Sequence, residues 1–178
     1  MGIAYCLEHM HQLKTPLVLR NFDSTTVYLT DDFAAKVSDL EFWNDAKGYN
    51  STNNELAFSL DLENIVHKYG MVLLEILTGR VPCSEDDGPL ENWASRYFEG
   101  EMRLEELIDS SIGFFPEDTA RALCEVVRSC IDRDPKKRPQ MQEVAARMRE
   151  ITALGPDGAT PKVSPLWWAE LEIMSSES

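Results

Sequence analysis

Between Leu62 and Leu77, apolar residues fall on almost every side of a helix: Ile65, Val66, Tyr69, Val72, Leu73, Leu74, Ile76 and Leu77. A surface helix carries one apolar stripe and keeps its other face polar. A helix apolar nearly all round needs neighbours on several sides. This segment therefore predicts a central helix, with Leu73, Leu74 and Leu77 among the most buried side chains. Thr78-Gly79 and then Pro82 end it in the order expected of a helix exit. The longest wholly apolar stretch, Met71–Leu74, is cut by Glu75, far short of the ~20 residues of a membrane helix.

The segments around it supply the neighbours. Ile3, Leu7 and Met10 mark one face of a helix over residues 1–13. Short extended pieces follow at Leu17–Leu19, Val27–Thr30 and Ala35–Ser38, and the last two flank Thr30-Asp31-Asp32 as a hairpin. Residues 43–60, rich in Asn, Ser, Thr and Asp, read as a loop, and so does the polar stretch 83–89. Helices are expected near Leu90–Glu99, Leu104–Ile108 and from Pro116 to about Ile131. A last one should begin with Pro139 in its first turn and carry Met141, Val144, Ala145, Met148 and Ile151 inward. Gly155–Pro165, with three prolines and two glycines, is a linker. The expected fold class is mainly α, a helical lobe with one small β-hairpin, over residues 1–151. Residues 152–178 form a linker and a Trp-containing tail.

Charge excludes one class of function. The 178 residues carry a net charge of −14, a field that repels phosphate backbones, so no nucleic-acid partner is expected. The charge is uneven. Residues 85–118 hold eleven acids against Arg96 and Arg103, whereas 128–149 hold seven bases against three acids. Each run is either a solvated face or a docking surface for a partner of opposite charge. Cys6, Cys83, Cys124 and Cys130 form no CxxC pair, which suits free, mostly buried thiols in a reducing compartment. His9 and His11 have no Cys or acidic partner at ligand spacing, so no metal site is expected.

Several segments resemble the C-lobe of a eukaryotic protein kinase. Val72–Pro82 resembles the central helix and exit of plant receptor-like kinases. Asp132–Met141 resembles the stretch before their last helix, and Ala35-Lys36-Val37-Ser38-Asp39 the strand that delivers a metal-binding Asp. The tail Ser164–Ile173 resembles the C-terminal end of a small leucine-rich-repeat receptor-like kinase subfamily that includes the male-discoverer and root-hair morphogenesis receptors. The resemblance runs from residue 1 to about 151, and the N-lobe is absent from this chain.

What the resemblance implies about chemistry is largely loss. Kinase catalysis is positioning plus charge neutralisation, with an H-R-D-L-x-x-x-N loop and a D-F-G as its C-lobe parts. The matching loop here is Leu19-Arg20-Asn21-Phe22-Asp23-Ser24-Thr25-Thr26. Asn21 stands at the base position and takes no proton near pH 7. Thr26 stands where an Asn would hold magnesium, and Asp23 has the wrong sign for its place near phosphate. As an alternative, Asp23 acts as a replacement base; otherwise it is a solvated carboxylate or a cap. Asp39 sits at the metal-binding position but is followed by Leu40-Glu41 in place of Phe-Gly.

Ile65 replaces an Asp that braces the loop in active kinases. His67 is expected to be a capped or partly exposed helix residue. Arg138 is a structural ion-pair donor, with Glu55 or Glu63 as its partner. Arg20 reads either a phosphorylated loop (Ser51, Thr52 or Ser59) or backbone and carboxylate groups.

The expected function is a pseudokinase interaction module in plant receptor signalling, with no catalytic residue and no cofactor. ATP and magnesium belong to the family but have half a site at most. The alternative is a fragment of an active serine/threonine kinase whose N-lobe lies outside this chain. The partners expected are other receptor-like kinases or cytoplasmic signalling proteins. The chain alone is expected to be soluble and cytoplasmic, at the cytoplasmic side of the plasma membrane if part of a receptor. Trp167, Trp168 and Leu171 are candidate partner-binding residues, or they pack back onto the lobe.

Overall fold

A computed structural model describes residues 1–13, 19, 21–37, 53–113, 116–160 and 162, without the side chains of 53–61 and 105. Its helices are α1 (Gly2–Gln12), α2 (Asn53–Thr78), α3 (Leu90–Phe98), α4 (Glu117–Cys130), α5 (Met141–Thr152) and the short α6 (Pro156–Ala159). Two antiparallel ribbons complete it: β1 (Val27–Leu29) with β2 (Ala35–Val37), and β3 (Cys83–Ser84) with β4 (Gly88–Pro89). The first has the register Val27↔Val37, Tyr28↔Lys36 and Leu29↔Ala35. The mainly helical lobe with a small hairpin is as the sequence predicts.

α2 is the centre. Ile65, Val66, Tyr69, Val72, Leu74 and Leu77 are all buried in one cluster with residues of α1, α3, α4 and α5. Gly70 lets α4 approach, because a Cβ there would lie 2.6 Å from the Cys130 Cβ and 2.8 Å from the Ile131 Cγ2. The helix stops where expected: Gly79 takes φ +64° and its N–H donates to the Glu75 carbonyl (2.9 Å), the left-handed exit that glycine adopts without penalty. The Thr78 hydroxyl donates to the Leu74 carbonyl (2.7 Å).

Several expectations need correction. α2 begins at Asn53, not near Leu62. The Asn- and Ser-rich composition of 43–60 hides the good helix formers Glu55, Leu56, Ala57 and Leu60 in its second half. Ile76 is 61% exposed and Leu73 only half-buried, so α2 keeps one open flank near its end. The 83–89 stretch is a ribbon, and only a 3-10 turn forms at Leu104–Glu106. Pro139 lies before α5, outside it. Gln140 is the N-cap, in a reciprocal box with Glu143, and that box sets the start two residues later. The linker contains α6. Of the four thiols, only Cys124 and Cys130 are buried; Cys6 and Cys83 are exposed. Apart from Leu19, the expected Leu17–Leu19 strand lies outside the described residues.

Candidate functional site

The loop that would carry kinase chemistry is held by two apolar anchors. Leu19 is 3% exposed and Phe22 1% exposed, while Asn21 between them faces solvent. Phe22 enters the α1–α2 core and fixes the loop's height; Asn21 is left as an exposed carboxamide that cannot act as a base.

The next four residues close on themselves. Asp23 caps the 3-10 turn Ser24–Thr26. Its Oδ1 accepts from the Thr25 N–H (2.8 Å) and the Thr25 hydroxyl (2.6 Å). The Thr26 hydroxyl donates to the Asp23 carbonyl (2.9 Å) and accepts from the Asp23 N–H (3.2 Å). Thr26 is buried, and its proton and one lone pair are both engaged inside the turn. The hydrogen bond from the Thr25 hydroxyl holds the Asp23 carboxyl below the usual carboxylate range, backbone N–H groups and the positive charge of Lys68 adding to it. A general base works best with a pKa near the working pH, so this environment moves Asp23 away from that role. Asp23 is the cap among the roles read from the sequence.

The supports around the loop are structural. Ile65 is 1% exposed and shares the core with Leu19 and Phe22; an apolar side chain there offers the loop no hydrogen bond. His67 on α2 is half-buried and meets Glu91 at the start of α3 (3.2 Å). Burial lowers its pKa, aided by Arg138 and opposed by Glu91. Arg138 donates from Nε to the Asp132 carbonyl (2.9 Å) and from a terminal nitrogen to the Glu63 carbonyl (3.2 Å). It thereby ties the segment before α5 to α2 through backbone oxygens. Arg20, Asp39, Leu40, Glu41, Trp167, Trp168 and Leu171 lie outside the described residues. Among the described residues no cluster of three or more His, Cys, Asp or Glu could hold a metal, and no helix is long and apolar enough to cross a membrane.

One feature had no local sequence signal. The Arg80 guanidinium lies 4.0 Å from the centroid of the Trp93 ring, which in turn packs on Tyr97 (4.8 Å between centroids). Arg80 also pairs with Asp87 (2.5 Å). Thirteen residues separate Arg80 from Trp93, and only the β3–β4 ribbon folds them together. Both charged runs carry exposed side chains: Glu85, Asp86 and Asp87 in the acidic run, and Arg128, Arg133, Lys136, Lys137, Arg147 and Arg149 in the basic one.

No family model matches. The chain is 41% identical over 189 residues to Protein MALE DISCOVERER 2 of Arabidopsis thaliana, covering all of this chain and 27% of that protein. It is 43% identical to a probable inactive receptor-like protein kinase of Arabidopsis thaliana, covering 99% of this chain and 36% of that protein. Among solved structures, an apo pseudokinase shares 82% identity with a TM-score of 0.70 over 87% of this chain and 50% of its own. The pseudokinase drought responsive inactive kinase 1, bound to ENMD-2076, shares 79% identity, a TM-score of 0.70 and similar coverage. The chain thus spans about half of these solved chains and roughly a third or less of these curated relatives.

Proposed function

This chain is a protein-kinase-like C-lobe of the plant inactive receptor-like kinases, and from that premise we propose that it acts as a non-catalytic interaction module in receptor signalling. The observation that carries the reading is the closed Asp23–Thr26 turn beside Asn21. The base position has no proton acceptor, and the hydroxyl at the metal position serves the turn. A positioned general base contributes about 10²–10⁴-fold and a metal clamp several kcal/mol more, so the losses act together. Relatives named as inactive kinases and pseudokinases support the same reading.

Catalytic residues and cofactors are accordingly none, with Leu19, Arg20, Asn21, Asp23, Thr26, Asp39, Leu40 and Glu41 as degenerate positions and Arg138 as a structural cation. Residues 1–151 are the lobe, and 152–178 the linker and tail. Its partners are receptor-like kinases or cytoplasmic signalling proteins, met at the cytoplasmic face of the plasma membrane when the lobe is part of a leucine-rich-repeat receptor.

The test is direct. The chain is incubated with Mg-ATP and a generic protein substrate, and melted with and without millimolar nucleotide. We expect no label transfer and no shift in melting, whereas binding at 100 times Kd would add about 2.7 kcal/mol. Label incorporation that disappears in Asp39→Ala would overturn the proposal in favour of an active fragment.

A further inference from the structure

The strap after α5, made of α6 and Lys162, presents a hydroxyl in a defined setting. α6 ends at Thr160, which is exposed and holds φ −88° and ψ 137°. This extended backbone suits the residue that follows in the sequence, Pro161, because a proline pushes the residue before it out of the helical region. The Thr160 hydroxyl donates to the Pro156 carbonyl (2.8 Å).

The surroundings are acidic. Two residues on, the Lys162 N–H donates to Asp32 Oδ2 in the β1–β2 turn (2.6 Å) and pins the strap to the first hairpin. Thr160, Lys162 and Asp32 line one cavity of about 350 Å³. Asp31 on the same turn and Asp157 on α6 are exposed, so carboxylates outnumber Lys162, the one cationic side chain of the strap. On its inner side the strap meets the start of α1, where a Cβ on Gly2 would come 3.2 Å from the Ala159 carbonyl oxygen.

An exposed hydroxyl on extended backbone, followed by a residue without an N–H, suits the protein kinases whose clefts accept proline after the acceptor. We propose that Thr160 is a phosphorylation site for a proline-directed protein kinase acting in trans, and that the phosphate detaches the strap from the first hairpin. The Thr160 oxygen attacks the γ-phosphorus of ATP, the bond from that phosphorus to the ADP oxygen breaks, and the hydroxyl proton passes to the carboxylate base of the acting kinase. The product places a charge of about −1.5 to −2 at pH 7 in the cavity that Asp32 lines. Like-charge repulsion then acts on the carboxylate that holds Lys162. This makes the chain a substrate, and it stands apart from whether its own loop is catalytic.

Phosphate mapping and hydrogen exchange on the full chain test it. With a recombinant proline-directed kinase of the mitogen-activated class and Mg-ATP, mass spectrometry should find phosphate on Thr160, and none at that position in Thr160→Val. No phosphate on Thr160, or phosphate only on Ser164 before Pro165, overturns the site. The acting kinase is omitted in a control, where no phosphate is expected; phosphate on Thr160 there overturns modification in trans. In the phosphorylated chain, amides of 156–162 should exchange about tenfold or more faster than in the unmodified chain, with α4 and α5 still protected. Unchanged exchange overturns the release. Slower exchange overturns it in favour of a phosphate held at the start of α1. Asp32→Asn keeps an acceptor for the Lys162 N–H and removes the charge, so phosphorylation should accelerate exchange less in that variant. Equal acceleration overturns repulsion by Asp32 as the cause.

Discussion

The α2–α4–α5 packing and the 19–37 loop region are built on opposite terms. In the first, apolar side chains meet each other: Leu74, Val127, Cys130 and Val144 have no exposed surface, and Gly70 leaves no gap against Cys130. In the second, polar groups meet each other within four residues, while Leu29 and Phe33 face outward. The packed region tolerates little change, because a dense interior registers a single methylene. The loop is held by its anchors, Leu19 and Phe22, and by the Asp23–Thr26 turn, so the exposed Asn21 can change its chemistry without harming the fold. A kinase-like lobe can therefore keep its shape with a carboxamide at Asn21 and a turn-bound hydroxyl at Thr26.

The comparison can be broken most forcefully in the packed region. Leu74→Ala should lower stability by about 2–5 kcal/mol in urea unfolding, as for other buried leucines. A loss under ~1 kcal/mol would mean that α2 is not the centre. Gly70→Ala should come next. In an ordinary helix it stabilises by roughly 0.5–1 kcal/mol, but here overpacking against Cys130 and Ile131 should reverse the sign and cost about 1–3 kcal/mol. A stabilised variant would show that α4 gives way.

The loop should respond more mildly. Asp23→Ala removes the cap and should cost about 0.5–2 kcal/mol, with no change in the absence of phosphoryl transfer. Restoring Asn21→Asp together with Thr26→Asn should also give no label transfer in the same Mg-ATP assay. Measurable turnover would show that the loop alone separates this lobe from an active one.

A further effect is one of pH. Burial on α1 lowers the His11 pKa from 6.5 to about 4. As pH falls the unfolded chain takes the proton first, so stability is lost between about pH 6.5 and pH 4 and is fully present above that window. Solvent reaches part of the ring and moderates the slope. His11→Gln should flatten it, as read by urea midpoints across that range; an unchanged slope would place the titration elsewhere.

What could be read from residue order follows from periodicity. The all-round apolar pattern of 65–77 determines a central helix, because burial demands apolar side chains at the helical repeat; Thr78-Gly79 marks its end, and the extended pieces flanking Thr30-Asp31-Asp32 a hairpin. The chemistry of the loop was legible as well, since Asn21 is a carboxamide and Thr26 a hydroxyl whatever surrounds them. Tertiary structure alone decided the rest. It directed Arg138 to the Glu63 carbonyl on α2, stacked Arg80 on Trp93, and led the chain after α5 to Asp32 through the Lys162 N–H. Each of these depends on where residues far apart in the chain are carried by folding, and no local pattern encodes a distance across the fold.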